Sequence, residues 1–255
     1  MTKADILRIA AAQSAIDCGC SADDFFSGGN RVVISRPHPD ARKYLTLPFA
    51  LNLVSYGRGI VASVSPEFEA VAGEYINKFP AEHCFETPNL HWLMDRLRPM
   101  GYDACFMAEY WLPDLDKLQV LPCPYPTRLL QSEDFPPLYK DEWSNALCEK
   151  RAHLDVLAYG AYDGDKLIGL AGCSTDCDSM WQIGIDVLPE YRRQGIAAAL
   201  VSKLAKLILD LGKVPFYCCA WSNLPSARCA IKSGFTPAWV ELTAKSREYI
   251  DEMNK

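Results

Sequence analysis

Apolar residues along the chain follow two spacings, one typical of helices and one typical of strands. Over residues 195–211 they recur at helical spacing, which predicts one long amphipathic helix that ends at Gly212. Its predicted buried face consists of Ile196, Leu200, Leu204, Leu207, Ile208 and Leu211. Residues 4–17 show the same spacing and predict an N-terminal helix. Between such helices lie short apolar runs, so the pattern favours a mixed α/β protein.

Five short apolar runs in the C-terminal half predict strands. They lie at residues 155–162, 166–174, 180–188, 214–220 and 236–244. The first two flank Asp163-Gly164-Asp165, which is typical of a hairpin turn. Helices are expected over residues 134–150, with Asp134 as N-cap, and over residues 222–233, before Gly234.

The N-terminal half has a similar mixture of elements. Strands are expected at residues 31–35, 49–56, 59–65 and 102–112, and helices at residues 66–79 and 88–98. Prolines at positions 122, 124 and 126 favour an extended connector, because proline cannot continue a helix or a central strand. We therefore predict an N-terminal domain over residues 1–121, a connector at 122–126 and a second domain over 127–255.

Composition narrows the class of protein. Of 255 residues 49% are hydrophobic, and the net charge of −6 argues against a nucleic-acid partner, which needs a broad basic face. No apolar run is long enough to span a membrane, and the N-terminus does not resemble a signal peptide, so a cytoplasmic location is expected. The 11 cysteines lack zinc-ligand spacing and are expected to be small core residues, so no metal is predicted.

The join between the strand at 180–188 and the helix that follows holds the candidate chemistry. It carries Arg192, Arg193 and Gly195. The first amides of a helix have no partners inside it, and the helix dipole is positive there, so such a join can bind a phosphate. Gly195 and Ala197 leave room for the ligand. The alternative is an ordinary strand–helix join with two solvated arginines.

The surrounding residues resemble the acetyl-CoA motif of the GNAT acetyltransferase superfamily. That motif is a strand ending in V-x-P-E-Y, then R/Q-x-x-G-x-G/A at a helix start, and Arg192, Gly195 and Ala197 match it. Asn223 and the pair Gly234-Phe235 match a second signature of the family. The resemblance covers residues from about 126 to 245 and implies the GNAT fold with acetyl-CoA as co-substrate.

In that family, the strand before the motif splays from its neighbour at a bulge and the pantetheine arm lies in the opening. The resemblance implies that Ile185 and Val187 hold the arm, and that the amides from Arg193 to Ala198 bind the diphosphate. The residues assigned to the cofactor in this way are Ile185, Val187, Arg192, Arg193, Gln194, Gly195, Ile196, Ala197, Ala198, Asn223 and Ser226.

The implied reaction is attack of an amine on the thioester, with the Val187 amide stabilising the oxyanion. The sequence departs from the family at the acid, because a tyrosine common in relatives is replaced by Ala230. Tyr217 or a water is the substitute candidate, and the alternative is that the thiolate leaves unassisted. Asp186 is the nearest carboxylate for a base, but in a regular strand it faces away from Ile185 and Val187, so a solvated or hydrogen-bonded aspartate is the alternative.

Several other residues near these motifs have two interpretations each, one functional and one purely structural. His153 could be a base or a surface residue, and the aromatic residues could line an acceptor pocket or fill the core. These aromatics are Trp181, Tyr217, Trp221 and Trp239. A cluster of aspartates could attract a cationic amine or simply carry solvated charge in turns. It consists of Asp163, Asp165, Asp176 and Asp178.

A pattern in the N-terminal half parallels the motif region. Val64, Pro66-Glu67 and Phe68 repeat the strand, V-x-P-E-aromatic and helix order, and Gly101-Tyr102 corresponds to Gly234-Phe235. This predicts a reduced GNAT-like copy that does not bind CoA, since Glu69 in place of an arginine would repel phosphate. The alternative is coincidence, because Pro-Glu often opens a helix.

Together these patterns predict a cytoplasmic acetyl-CoA-dependent N-acetyltransferase whose acceptor is a small-molecule amine. A protein or peptide amine is the alternative acceptor. A CoA-binding sensor without turnover is the alternative function, because the usual tyrosine and strand glutamate are both missing. The sequence carries no signal for the oligomeric state.

Overall fold

The computed structural model describes all 255 residues and contains ten strands and six α-helices. The strands are β1 (Arg31–Ile34), β2 (Leu51–Ser55), β3 (Val61–Val64), β4 (Tyr102–Pro113), β5 (Thr127–Gln131), β6 (Asp155–Asp163), β7 (Lys166–Ser174), β8 (Met180–Val187), β9 (Val214–Ala220) and β10 (Phe235–Ser246). The helices are α1 (Lys3–Cys18), α2 (Glu69–Lys78), α3 (Thr87–Leu97), α4 (Ile196–Asp210), α5 (Leu224–Lys232) and α6 (Arg247–Met253). The mixed α/β class is confirmed. None of the helices is both long and apolar enough to cross a bilayer.

Contacts divide the chain into two compact units. The C-terminal unit contains residues 1–9 and 111–237, and the N-terminal unit contains residues 10–110 and 238–255. The proline-rich stretch at 122–126 lies within the C-terminal unit. The domain division that the sequence suggests there stays a prediction.

The C-terminal unit contains a sheet in the order β9-β8-β7-β6-β5. Its strands from β5 to β8 are antiparallel neighbours, and β8 and β9 are parallel. Gly164 adopts a φ of 58° in the predicted hairpin turn between β6 and β7. Helix α4 packs four residues of its predicted apolar face into the core of this unit: Ile196, Leu200, Leu204 and Ile208. Leu207 is half-buried and lies outside that core, and Leu211 follows the helix end and is exposed.

The segment over residues 132–154 differs from the prediction. It forms four short 3₁₀ turns instead of a helix, and Asp134 accepts a bond from the Gln131 amide inside the first of them. Its apolar side chains pack in a separate small cluster on the sheet, made of Phe135, Trp143, Ala146 and Leu147 with Leu130, Ala158 and Leu170. Burial of these scattered residues decides the path of the backbone, and the two prolines at 136 and 137 oppose a continuous helix.

Two paired glycines let this segment lie directly on the sheet. Gly172 of β7 is in register with Gly184 of β8. A Cβ on Gly172 would overlap the carbonyl oxygen of Ala146, and one on Gly184 would overlap that of Asn145. The absence of side chains at both positions therefore allows the close approach.

The N-terminal unit has the strand order β1-β3-β2-β10-β4. Strand β3 lies between an antiparallel neighbour, β2, and a parallel one, β1. Strand β8 has the same kinds of neighbour, but its parallel partner β9 follows it in the chain, whereas β1 precedes β3. A reduced GNAT-like copy is compatible with this arrangement and stays a prediction.

We expect Gly172→Ala to destabilise the C-terminal unit, because the added methyl group meets backbone that must shift. The free energy of unfolding in urea should fall by about 1–3 kcal/mol. Gly73→Ala in α2 is the matched control: its Cβ would make an ordinary contact 3.6 Å from Val32, so it should stabilise by about 0.4–1 kcal/mol. Wild-type stability in Gly172→Ala would contradict the close packing.

Candidate active site

Strands β8 and β9 diverge partway along their length. Their parallel pairing runs from Met180 and Val214 to Ile183 and Tyr217, and no pairing follows beyond that point. Strand β8 remains paired with β7 as far as Val187, and the register is continuous. The resulting opening, which we call the fork, has the splay that the family resemblance implied. It forms without a bulge in β8.

The peptide groups of Ile185 and Val187 point into the fork. The Leu188 amide donates to the Ile168 carbonyl at 3.0 Å, so the backbone polar groups of Leu188 point toward β7. Since backbone groups alternate in direction along an antiparallel strand, Val187 and Ile185 direct theirs away from β7. On the β9 side they have no strand partner.

The turn after β8 winds tightly into α4. Arg193 has a φ of 64° and Gly195 a φ of 86°, so two residues of the turn are left-handed. The first amide of α4 with a backbone partner is that of Ala199, which donates to Gly195 at 3.1 Å. No amide from Arg193 to Ala198 donates a hydrogen bond within the protein. This turn, which we call the cradle, presents consecutive donors at the positive end of a helix.

Basic side chains surround the cradle. Arg192 and Arg193 are exposed, and the Arg192 Nε donates to the Val187 carbonyl at 3.0 Å. Arg192 therefore ties the cradle to the end of β8 in addition to supplying charge. The Nζ of Lys232 lies 3.9 Å from the position of a Cβ on Gly195, so α5 contributes a third cation. Lys232 is not among the residues predicted from the sequence, although its place two residues before Gly234 is a usable signal. Gln194 accepts a bond from Tyr125 at 3.0 Å.

Three predicted residues come together at the start of α5 and the vertex of the fork. Asn223 caps α5 by accepting from the Ser226 amide at 3.2 Å. The hydroxyls of Ser226 and Tyr217 share a hydrogen bond of 2.6 Å. Tyr217 is the last residue of β9 that pairs with β8, and burial raises the pKa of its phenol. Its hydroxyl therefore retains its proton at neutral pH.

Asp186 has the hydrogen-bonded environment that was the alternative to a catalytic base. Its carboxylate accepts from the Asn145 amide at 2.9 Å, the Asn145 side chain at 2.7 Å and the Ala146 amide at 3.0 Å. These bonds hold residues 144–146 against β8, on the face opposite Ile185 and Val187.

The remaining candidates have ordinary surroundings. His153 is exposed, and Trp239 stacks between Tyr56 and Tyr110 in the N-terminal unit. The predicted acidic cluster is divided among separate partners: Asp163 accepts from Tyr191, Asp176 from Arg151 and Ser174, and Asp178 from Lys213. No group of three or more His, Cys, Asp or Glu side chains is arranged to hold a metal ion.

Comparison with known families identifies the domain that carries the fork and cradle. Residues 125–235 match the acetyltransferase (GNAT) family model. The chain therefore contains a GNAT acetyltransferase domain, and the resemblance drawn from Arg192, Gly195, Asn223 and Gly234-Phe235 is confirmed. No curated protein sequence matches the chain.

Several solved structures are similar to the chain. A putative GNAT acetyltransferase from Novosphingobium aromaticivorans is 19% identical, with 56% of this chain and 66% of that chain covered and a TM-score of 0.42. A GCN5-related N-acetyltransferase from Sphaerobacter thermophilus is 13% identical, with 95% of this chain and 93% of that chain covered and a TM-score of 0.49. The structure of yncA, a putative acetyltransferase from Salmonella typhimurium with its cofactor acetyl-CoA, is 14% identical, with 48% of this chain and 93% of that chain covered and a TM-score of 0.35.

We expect Asp186→Asn to weaken the attachment of residues 144–146 to β8. The loss of charge-assisted hydrogen bonds should lower the free energy of unfolding by roughly 1–3 kcal/mol in urea. Asp165→Asn, at an exposed hairpin position, should change it by less than about 0.5 kcal/mol. A base would behave differently: unchanged stability together with loss of the acidic limb of a pH–rate profile would contradict the structural role.

Proposed function

We propose that this protein is a cytoplasmic acetyl-CoA-dependent N-acetyltransferase that acts on a small-molecule amine. The observation that carries the proposal is the direct succession of fork and cradle. Peptide groups without strand partners at Ile185 and Val187 are followed within one turn by free amides from Arg193 to Ala198. This order suits a ligand with an amide-rich arm joined to a diphosphate, which describes a CoA thioester.

In this proposal each part of the ligand has its own partners. The pantetheine arm pairs with the peptide groups of Ile185 and Val187 in the fork. The diphosphate accepts from the cradle amides, and Arg192, Arg193 and Lys232 balance its charge. Small side chains at Gly195 and Ala197 permit close approach. Asn223 and Ser226 lie toward the thiol end of the arm.

The proposed reaction joins the acceptor nitrogen to the acetyl carbon and breaks the carbon–sulfur bond. An ammonium group first loses a proton, and the neutral amine attacks the thioester carbonyl. The Val187 amide, which points into the fork, donates to the developing oxyanion. Collapse expels the CoA thiolate, which takes a proton from Tyr217, and the second proton lost by the acceptor nitrogen then restores the neutral phenol. The products are an N-acetyl amine, CoA and one released proton.

A CoA-binding sensor is the second candidate function. It is favoured by one observation: Ala230, which stands where many relatives have a tyrosine, is fully buried and offers no proton. The two functions differ in turnover, since a sensor binds both acetyl-CoA and CoA but releases no thiol when amines are added. A panel of acceptors distinguishes the two kinds of substrate: thiol release would depend on a peptide if the acceptor is a protein, and on a small amine if it is a metabolite.

Gly195→Glu should abolish acetyl-CoA binding, because its carboxylate would stand at the cradle. Repulsion between charges about 4 Å apart near a protein surface predicts at least a 100-fold weaker Kd by isothermal titration calorimetry. Gly212→Glu is the matched control, since Gly212 has a similar φ of 77°, with open space around it, at the other end of α4. Equal affinity in both variants would contradict the cradle.

Tyr217→Phe should lower kcat for amine-dependent thiol release by about 100-fold, the usual scale of general acid catalysis, and leave the Kd for acetyl-CoA unchanged. Thiol release is followed by a colorimetric thiol reagent across a panel of amines. Tyr159→Phe, in β6, is the control and should behave as the wild type. Full activity of Tyr217→Phe would show that the thiolate leaves without this phenol.

A further inference from the structure

A polar cavity lies beside the fork, on the face of β8 opposite α4. Its volume is about 120 Å³, and Gln182 and Gly184 form part of its wall. These two residues flank Ile183, the last residue of β8 that pairs with β9. The other lining residues are Ser144, Asn145, Ala146, Leu147, Cys148, Arg151, Asp155 and Ser174. The cavity therefore borders the part of β8 at which the fork begins.

Three polar side chains form a row across the floor of this cavity. Asp155 of β6 is in register with Ser174 of β7, which is in register with Gln182 of β8. Because neighbouring strands are about 4.8 Å apart, Asp155 lies roughly 10 Å from β8 along the sheet. The row leads from the fork to a buried carboxylate.

Asp155 has one oxygen committed to the protein and one open to the cavity. It is 3% exposed, and its Oδ2 accepts from the Cys148 amide at 2.9 Å and the Tyr139 hydroxyl at 3.3 Å. Its Oδ1 accepts no hydrogen bond. Among side-chain nitrogen and oxygen atoms, only Trp111 Nε1 is both fully buried and without a hydrogen-bond partner. Asp155 Oδ1 has no partner either, so it must be accessible to solvent. Burial raises the pKa of this carboxyl, so a cation bound beside it would favour its ionised form.

The charge around the cavity favours a cation. The Arg151 guanidinium is paired with Asp176 at 2.6 Å, and Ser174 donates to the same carboxylate at 2.7 Å. These charges balance, which leaves the carboxylate of Asp155 in excess. At the other end of the row, Gln182 donates through Nε2 to Cys218 at 3.0 Å, so its Oε1 remains an acceptor. Two open acceptor oxygens and one net negative charge suit the donors of an ammonium group.

We propose that this cavity holds a second ammonium group of the acceptor, with Asp155 as its ionic partner and Gln182 as a hydrogen-bond acceptor, so that the acceptor is a small aliphatic diamine. The proposal rests on the proposed function. The separation of Asp155 from β8 places the held nitrogen away from the fork, where the other nitrogen is acetylated. The volume fits an aminoalkyl group of a few non-hydrogen atoms.

The test compares diamines with amino alcohols of equal length, from four to six carbons, as acceptors for the full-length protein. An amino alcohol retains one amine and replaces the second by a neutral hydroxyl. The wild type should prefer the diamine by about 10- to 100-fold in kcat/KM, the scale of a hydrogen-bonded charge pair. Asp155→Asn should reduce the ratio to about one, with a rise in KM that exceeds the fall in kcat.

Two further variants separate this role from a structural one. Gln182→Leu leaves the bonds of Asp155 to Cys148 and Tyr139 in place and should lower the preference by about 3- to 10-fold. Asp178→Asn removes a fully exposed carboxylate at the β7–β8 turn and should leave the preference unchanged. An equal loss of kcat with diamine and amino alcohol in Asp155→Asn would identify a base or a folding defect and overturn the proposal.

A binding measurement tests the cavity without turnover. Calorimetric titration of the diamine into the protein saturated with CoA should show binding that Asp155→Asn weakens by about 10- to 100-fold. Amino alcohols that are acetylated as well as diamines would overturn this inference while the proposed function stands. Binding of the diamine without acetylation would instead overturn the proposed function.

Discussion

The parting of β8 and β9 after Ile183 is the constraint on which the rest of the C-terminal unit depends. In a continuous sheet, the peptide groups of Ile185 and Val187 would be spent on the neighbouring strand. Here these groups have no strand partner on the β9 side: the Val187 carbonyl accepts from Arg192, and the Ile185 and Val187 amides remain available to water or a ligand. The cradle follows β8 directly in the chain. Unpaired strand peptide groups and unpaired helix-start amides therefore lie next to each other. Arg192 joins the two parts through its bond to the Val187 carbonyl.

Because side chains alternate along β8, its two faces contact different parts of the protein. Ile183, Ile185 and Val187 pack in the cluster that contains α4, which supports the cradle from below. Gln182, Gly184 and Asp186 face the turns over residues 132–154. Glycine brings this segment close, the carboxylate of Asp186 holds it, and a small polar cavity remains where the contact is incomplete. One strand thus borders the fork and cradle on one side and a polar cavity on the other.

The N-terminal unit has its own buried polar centre. Arg42 is almost fully buried between Asp17 and Glu241, and Tyr110 and Trp239 lie within 6 Å of its guanidinium carbon. The coulombic effect of the two carboxylates outweighs desolvation and keeps the pKa of Arg42 well above its usual value. Such a group contributes little net stability, but loss of one partner would leave an uncompensated buried charge. This centre joins residues that are distant in the chain, so no local pattern indicates it.

The sequence alone determined the features that arise within a few consecutive residues. These are most of the helical face of α4, the turn at Gly164, the strand order around the motifs and the unpaired amides of the helix start at Gly195, because spacing and backbone freedom are local properties. Tertiary structure decided what depends on distant partners. Burial of scattered apolar residues replaced the expected helix over 134–150 with turns, and those turns gave Asp186 its hydrogen bonds. The approach of Lys232 to Gly195, and the open oxygen of Asp155, likewise exist only once separate segments pack together.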